Sequence, residues 1–238
     1  MTTQPARAGV RPGKLLTART LLPLALAPLL LSTPTLPASP AHAATATMQL
    51  EDALSTLPTA EEDRSGYTSE AFPRWNAGAD LTDGCDTFRE VLIAEAVESP
   101  AVGPGCRLLG GKWHSYYDDQ TVSDLGSLTV DHVVPLAEAW GSGASAWTAE
   151  RREAYANDRG TPTTLTVATT RTVQEKADRD VANWLPLEGD KYCRYIGEWV
   201  STKHRWSLSA DKDEVEALKL FADNSCEETV VIYVPAAD

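Results

Sequence analysis

Asp131 and His132 are the adjacent residues of this sequence whose types point most directly to chemistry. They follow the β-rich residues 128–130 and precede Pro135 in the stretch SLTVDHVVPLAEAWGSG. An imidazole has an ordinary pKa of about 6.5, so it can take a proton from water near neutral pH. A carboxylate offers a hard oxygen ligand to a divalent cation such as Mg²⁺, Mn²⁺ or Zn²⁺. The pair is therefore a candidate general base beside a candidate metal ligand.

The strand that carries this pair must end or twist for both side chains to act on one target. Neighbouring side chains of a strand point to opposite faces, and Pro135 indicates such an end because proline cannot donate to a strand ladder. The alternative interpretation is structural. Under that interpretation His132 is hydrogen-bonded inside the protein and Asp131 is an ordinary turn residue. Residue type alone favours this structural interpretation.

The first 43 residues have the pattern of a secretory signal peptide. Four basic residues precede the apolar run LLPLALAPLLL, and the segment SPAHAA predicts cleavage after Ala43. The run is short for a membrane span and contains two prolines. We therefore predict a secreted, extracellular protein that leaves the membrane after cleavage; the alternative is an uncleaved anchor.

The charge of the chain argues against a generally basic nucleic-acid-binding surface. The leader carries four basic and no acidic residues, so its removal takes the net charge from −13 to −17. A protein that binds nucleic acid mainly by counterion release should be basic. Ten of the 17 remaining basic residues lie between 151 and 205, which favours a local groove for a phosphate backbone; a chance mixture of solvated faces is the alternative.

The four cysteines all follow the leader: Cys85, Cys106, Cys193 and Cys226. An even number in an exported protein predicts disulfides, and four cysteines allow three pairings. Proximity in sequence favours Cys85–Cys106 and Cys193–Cys226, each stabilising the fold by about 3 kcal/mol. No C-x-x-C pair is present, which argues against a thiolate zinc site.

Several segments around the pair predict regular structure. The β-branched run 163–170 predicts a second strand. Apolar residues at helical spacing predict helices within 190–206 and 209–226, which the second disulfide could staple together. Residues 106–119 predict a hairpin that turns at Gly110-Gly111.

The ends of the mature chain give weaker patterns. Residues 44–66, rich in Ala, Thr, Glu and Asp, predict a flexible acidic N-terminal arm. The tail 227–238 contains TVVIYVP, a possible strand with no identifiable partner. The prediction is one α+β domain over residues 67–226, disulfide-stapled, with flanking helices.

The sequence resembles the HNH endonuclease family, in particular the members that actinobacteria secrete. The resemblance covers roughly residues 67–226 and rests on five stretches: GCDTFREVLIAEA, GKWHSYYDD, VDHVVPLAEAWGSGASAWTAERREAYAND, EKADRDVANWLP and YCRYIGEWVSTKHRWSLS. It implies a ββα-metal core, in which two strands and a helix grip one divalent ion (Mg²⁺, Mn²⁺ or Zn²⁺). It also implies that Asp131 is the metal ligand and His132 the general base in hydrolysis of nucleic acid, DNA in preference to RNA.

The sequence departs from this family at one implied ligand. Relatives read Asn-Arg-Ser-Lys-Gly-Asp before Trp-Leu-Pro, and that Asn is the second protein ligand. Alignment from residues 184–186 puts Lys176 and Asp178 in place but puts Val173 at the Asn position. Valine cannot coordinate a cation. A one-residue shift could bring forward Thr172 or Gln174, both weak ligands.

The remaining site candidates are basic residues and one glutamate. Lys176 is a second catalytic candidate that could contact a phosphate, or else a solvated helix lysine. Arg171, Lys203 and Arg205 are candidates for substrate binding in the basic region. Glu138 could reach the metal, but a surface glutamate is the simpler interpretation.

Two main functions compete. The first is an exported, metal-dependent HNH endonuclease. The second is a nuclease-derived extracellular protein that binds without cutting, which Val173 and the acidic balance favour. A phosphodiesterase of small nucleotides is a weaker third possibility. The sequence carries no signal for oligomeric state.

Overall fold

The computed structural model describes Gly13 and residues 44–237. Apart from Gly13, the predicted signal peptide lies outside these described residues, and so does its predicted cleavage point. From residue 44 onward the chain is a mixed α and β structure that carries two disulfides. Within the described part, no helix has both the length and the apolar content that a membrane span needs.

The first elements are strand β1 (Ala46–Gln49) and helix α1 (Leu50–Thr56). Helix α1 buries Leu50, Ala53 and Leu54, which fall on one face because they are three and four residues apart. These side chains join the larger hydrophobic core. The prediction of a flexible acidic arm is therefore wrong for β1 and α1, since the apolar residues of α1 are buried in the core.

A helix and two small hairpins follow: α2 (Thr87–Ala94), β2 (Ala101–Gly103), β3 (Arg107–Leu109), β4 (Trp113–Ser115) and β5 (Gln120–Val122). Strand β2 pairs antiparallel with β3, and β4 pairs antiparallel with β5. The predicted turn at Gly110-Gly111 is wrong. Those glycines, with φ of 67° and 94°, link the two hairpins because each strand pairs with its own nearest neighbour.

The central frame begins with β6 (Leu128–His132), which pairs antiparallel with β7 (Leu165–Thr169). Between them lie the helices α3 (Leu136–Gly141) and α4 (Ala149–Ala156). Strand β7 is buried along its whole length, which explains its β-branched composition. The predicted second strand is confirmed.

Helix α5 (Thr170–Lys176) follows β7 without a loop. Its N-cap is Thr169, whose hydroxyl accepts a hydrogen bond from the Thr172 amide and so satisfies one free donor of the first turn. It ends at Lys176, because the next residue, Ala177, has φ of 50° and ψ of −134°, which cannot continue a helix. The short helix therefore brings Lys176 back towards the end of β6.

The C-terminal part consists of α6 (Tyr192–Trp206), α7 (Lys212–Ala222) and strand β8 (Val230–Tyr233). Helix α7 begins with a capping box between Asp211 and Glu214. Strand β8 pairs antiparallel with β1, the partner that the sequence did not reveal. Four short 3₁₀ turns complete the described elements: Ser69–Ala71, Leu125–Ser127, Ala144–Ala146 and Gly189–Lys191.

Two disulfides join distant parts of these elements, and both predicted pairings are confirmed. Cys85–Cys106 ties the residues before α2 to the turn between β2 and β3. Cys193–Cys226 ties the first turn of α6 to the segment after α7. Both α6 and α7 contribute buried side chains to the same core as α1, including Trp199 and Leu218.

Candidate active site

Asp131 and His132 are the last two residues of β6, where they pair with Thr166 and Leu165 of β7. Both side chains are largely buried, with 8% and 5% of their surfaces exposed. Both nevertheless line a cleft of about 200 Å³. Its lining consists of Tyr67, Arg74, Asp131, His132, Pro135, Leu136, Val173, Ala177 and Asp178. The adjacent pair therefore reaches one cavity because the strand ends there.

The hydrogen bonding of His132 fixes its tautomer. Its Nε2 lies 3.0 Å from the carbonyl oxygen of Ala156, at the end of α4. A carbonyl can only accept, so Nε2 carries the proton and Nδ1 is the basic nitrogen. The Nδ1 atom forms no hydrogen bond with any residue that the structure describes. The imidazole packs against the near-parallel rings of Trp75 and Tyr155, with centroids 5.8 and 6.0 Å away.

The pKa of His132 is lowered to about 4. The main cause is burial, which disfavours the charged imidazolium. The hydrogen bond to Ala156 and the charge of Asp131 oppose this shift, while the charges of Arg74 and Lys176 add to it. The imidazole is therefore neutral at physiological pH, with an unprotonated Nδ1.

Asp131 uses only one of its two carboxylate oxygens inside the protein. Its Oδ2 accepts hydrogen bonds from the Lys176 ammonium at 2.6 Å and from the Tyr117 hydroxyl at 3.0 Å. Its Oδ1 has no hydrogen-bond partner among the described residues. The bonded oxygen orients the carboxylate, and the other oxygen is left for a ligand.

Lys176 is fully buried, so it is neither a solvated lysine nor a contact for substrate at the surface. Its Nζ bonds the Asp131 carboxylate and, at 2.8 Å, the carbonyl oxygen of His132. Burial lowers the pKa of Lys176, and the neighbouring Asp131 charge opposes that change. The lysine joins the end of α5 to the end of β6, where it positions the pair.

The other side of the cleft comes from the residues at and after the C-terminal end of α5. Val173 lines the cleft, so the position where the resemblance implies an Asn ligand does face the cavity, but it offers no donor atom. Asp178 lines the cleft with an exposed carboxylate. The carboxylates among the lining residues of the cleft are therefore Asp131 and Asp178.

Tyr67 and Arg74 form a wall that the sequence did not predict as part of the site. They belong to the segment 67–75, which precedes every motif used to propose the chemistry. A signal was present, since aromatic residues at 67, 72 and 75 indicate a segment that packs. Nothing in the sequence, however, singles out Arg74 among the basic residues.

The structure does not bring the predicted substrate-binding residues to this cleft. Lys203 is fully buried, where its ammonium bonds Glu138 at 2.8 Å and Glu214 at 2.7 Å. Arg205 is buried and forms two hydrogen bonds to Asp158. These two candidates for substrate binding are therefore not exposed cations, because carboxylates distant in the sequence pair with both.

Arg171 and Glu138 also lie outside the cleft lining. Arg171 is exposed, pairs with Glu175 and lines a separate cavity, so its contact with substrate stays a prediction. Glu138 is buried rather than on the surface, because Lys203 and Arg64 neutralise it. It lies near Glu62 and Asp180 in a group whose carboxylate oxygens are within 4.8 Å of one another.

Comparison with known proteins places this site in a matched region. Residues 87–219 match the family model described as GmrSD restriction endonucleases, C-terminal domain. The chain is also similar to an uncharacterized secreted protein from Arthroderma benhamiae, with 32% identity over 175 residues, 74% of this chain and 82% of the relative. No solved structure matches. The family match includes Asp131, His132 and Lys176 but begins after Arg74.

Proposed function

Because the chain belongs to the family of GmrSD restriction endonucleases, C-terminal domain, we propose that it is an exported, metal-dependent endonuclease of the HNH type. Its substrate is nucleic acid, in which it hydrolyses phosphodiester bonds. His132 is the general base and Asp131 the metal ligand. The β6–β7 pair followed by α5 serves as the ββα core that holds the ion.

One observation carries this proposal: a neutral, oriented imidazole lies beside a half-satisfied carboxylate in an open cleft. Burial and the Ala156 carbonyl leave His132 with a free, unprotonated Nδ1. Lys176 and Tyr117 hold Asp131 by one oxygen only. A structural Asp-His pair would not need a cavity of about 200 Å³ beside it.

The proposed reaction is an in-line attack of water on the phosphorus atom. The Nδ1 atom of His132 takes one proton from the water while the water oxygen forms the new bond to phosphorus. The bond from phosphorus to the leaving sugar oxygen breaks, and that oxygen gains a proton from solvent. The Nε2–H bond to Ala156 keeps the imidazole in place and stabilises the imidazolium as it forms.

The donors in the cleft suit a hard divalent ion. Asp131 Oδ1 and the Asp178 carboxylate are oxygen ligands, which Mg²⁺ and Mn²⁺ accept together with several waters. When bound, such an ion supplies positive charge that stabilises the phosphate and the leaving oxygen. This donor set is less suited to Zn²⁺, which favours four nitrogen or sulfur ligands in closed sites.

An extracellular location agrees with two further observations. The described residues contain two disulfides, which persist in oxidising compartments. The Arthroderma benhamiae relative is named a secreted protein. The signal peptide over residues 1–43 remains our prediction.

The test measures cleavage of supercoiled plasmid DNA and of single-stranded RNA with Mg²⁺ or Mn²⁺, with and without EDTA. We expect metal-dependent nicking that EDTA stops. His132→Ala and His132→Gln should lower the rate at least about a hundredfold. His114→Ala is the matched control, because His114 is half-exposed and pairs with Asp119 away from the cleft. Undiminished nicking by both His132 variants would contradict the proposal.

A second candidate function is an extracellular binding protein that no longer cuts. Val173 favours it, since this residue presents a methyl surface to the cleft where the resemblance implies an amide ligand. Calorimetric titration of the folded protein with Mn²⁺ and Zn²⁺ separates the two functions. Heat of binding at millimolar ion supports the nuclease, and its absence supports the binding protein.

A further inference from the structure

We propose that Arg74 is the residue that binds the substrate phosphate in this cleft, an inference that rests on the nuclease function proposed above. Arg74 lines the cleft together with Asp131 and His132. Its guanidinium can hold two phosphate oxygens at once through parallel N–H donors. It would place the phosphodiester next to the imidazole that activates water.

The lining offers one positively charged side chain to a phosphate, besides any metal ion bound by the carboxylates. The ionisable acids of the lining are Asp131 and Asp178, and Arg74 is the one Lys or Arg among the nine lining residues. The ammonium of Lys176 lies close by but is committed to Asp131 at 2.6 Å. Without a metal ion, as in EDTA, a polyanion that enters the cleft would otherwise meet two carboxylates, and this repulsion grows as water is excluded.

The guanidinium of Arg74 is free to take a ligand. Arg74 is exposed and forms no ion pair or hydrogen bond with any residue that the structure describes, although its charge acts on the exposed carboxylate of Glu70. The basic residues between 151 and 205 differ in this respect. Acidic partners engage many of them, as Glu90 engages Arg159 and Glu198 engages Arg194. The positive charge that is concentrated in this part of the sequence is therefore partly neutralised in the structure.

The backbone on both sides of Arg74 is anchored, so the free side chain sits on a fixed base. The carbonyl of Ala71 accepts a hydrogen bond from Arg152 at 3.0 Å, and the carbonyl of Pro73 accepts one from Asn157 at 2.8 Å. The amide of Asn76 donates to Asn157 at 3.0 Å. A fixed backbone lowers the entropy lost when the side chain binds.

Trp75 connects this anchored segment to the base. Its φ of 59° lies in the left-handed region, which is unfavourable for a tryptophan. Its ring stacks on His132 and lies edge-on to Phe88. These contacts hold Trp75 in this conformation. The residue that follows Arg74 in the sequence therefore contacts the proposed general base directly.

Arg74 lies outside the range that matches the family model, which begins at residue 87. The proposed base and metal ligand lie inside that range. A segment that precedes the matched range therefore supplies the substrate contact. This segment forms one wall of the cleft through Tyr67 and Arg74.

The test measures binding of a fluorescein-labelled duplex oligonucleotide by fluorescence anisotropy in EDTA, where cleavage does not interfere. We compare the full protein with Arg74→Ala, Arg74→Lys and the control Arg107→Ala. Arg107 is also exposed, but it lies in β3 and does not line the cleft. Arg74→Ala should raise the Kd about five- to tenfold and lower the slope of log K against log salt by about 0.9. Arg74→Lys should keep that slope, and Arg107→Ala should change the Kd less than about twofold.

Each outcome decides between the two proposals. If the native protein binds the oligonucleotide and Arg74→Ala binds it with the same Kd and salt slope, the role of Arg74 is overturned and the nuclease proposal stands. If the native protein neither binds nor cuts nucleic acid, the proposed function fails, and the role of Arg74 fails with it. A loss of affinity in Arg107→Ala equal to that in Arg74→Ala would also overturn the inference.

Discussion

The Nζ atom of Lys176 lies 2.6 Å from Oδ2 of Asp131, and both side chains are buried. This ion pair joins the last residue of α5 to the end of β6. It leaves Oδ1 of the carboxylate without a partner among the described residues, next to the His132 imidazole. The geometry of the site therefore depends on a lysine that does not itself line the cleft.

Lys176→Met should destabilise the protein by about 3–5 kcal/mol, because it leaves the Asp131 carboxylate buried without its cation. Urea unfolding of the purified variant measures this loss. Lys212→Met serves as control, since Lys212 pairs with Glu216 at an exposed helix position and should contribute less than about 1 kcal/mol. The double variant Lys176→Met, Asp131→Asn should recover part of the stability. Equal unfolding midpoints for Lys176→Met and Lys212→Met would contradict this role.

Val173→Asn should strengthen metal binding in the cleft at least about tenfold, since it adds an amide oxygen where valine has none. Calorimetry with Mn²⁺ measures the affinity, and plasmid nicking measures the accompanying gain in rate. Gln174→Asn is the matched control, because it places the same side chain at the next, exposed position of α5, outside the cleft lining. Equal affinities for the two variants would show that residue 173 is not a ligand position.

Stability should depend on pH through His132. The unfolded chain holds a proton on this residue below about pH 6.5, whereas the folded protein does so only below about pH 4. The stabilising contribution is therefore complete above pH 6.5 and is lost as the pH falls towards 4, by about 3 kcal/mol in all.

Urea unfolding in EDTA at pH 7, 5.5 and 4.5 tests this dependence, with His132→Gln as the comparison. The difference between the two proteins is the quantity to follow. The pKa of Glu95 is raised to about 7, mainly by burial, and this contributes to the stability of both proteins with the opposite sign. Parallel curves for native and variant would rule out the lowered pKa of His132.

Ala177→Gly should stabilise the protein by about 1 kcal/mol. Ala177 has φ 50° and ψ −134°, a conformation that strains any residue with a Cβ but not glycine. The gain exceeds the entropy that glycine adds to the unfolded chain. Thermal or urea unfolding measures it, and Ala182→Gly is the control at a nearby site outside the positive-φ residues. A variant less stable than the native protein would show that the turn carries no such strain.

Local patterns predicted the parts of the site that are close together in sequence. The Asp-His pair, the strand at 163–170, the two C-terminal helices and both disulfides follow from residue type and spacing over short distances. Lys176 and Val173 fell at the positions that the resemblance implied. The structure places both near Asp131, the lysine in direct contact and the valine in the cleft lining.

Long-range pairing was beyond such reasoning. Lys203 looked like a surface cation because Glu138, its partner, is 65 residues away in the sequence. The polar flanks of helix α1 predict a solvated arm, whereas its short apolar face is buried against the C-terminal core. Arg74 carries no pattern of its own, and only its place in the cleft gives it a role.

The pairing of β1 with β8 has a consequence for how the chain is made. Ala46 lies opposite Tyr233, and the amide of Leu50 donates to the carbonyl of Thr229. During translation, β1 is synthesised long before its partner β8. The leucines of α1 therefore lack part of the core that buries them until residues 229–233 have been synthesised. Until β8 has been synthesised the chain therefore stays incompletely folded, which is the state that passage through a membrane channel requires.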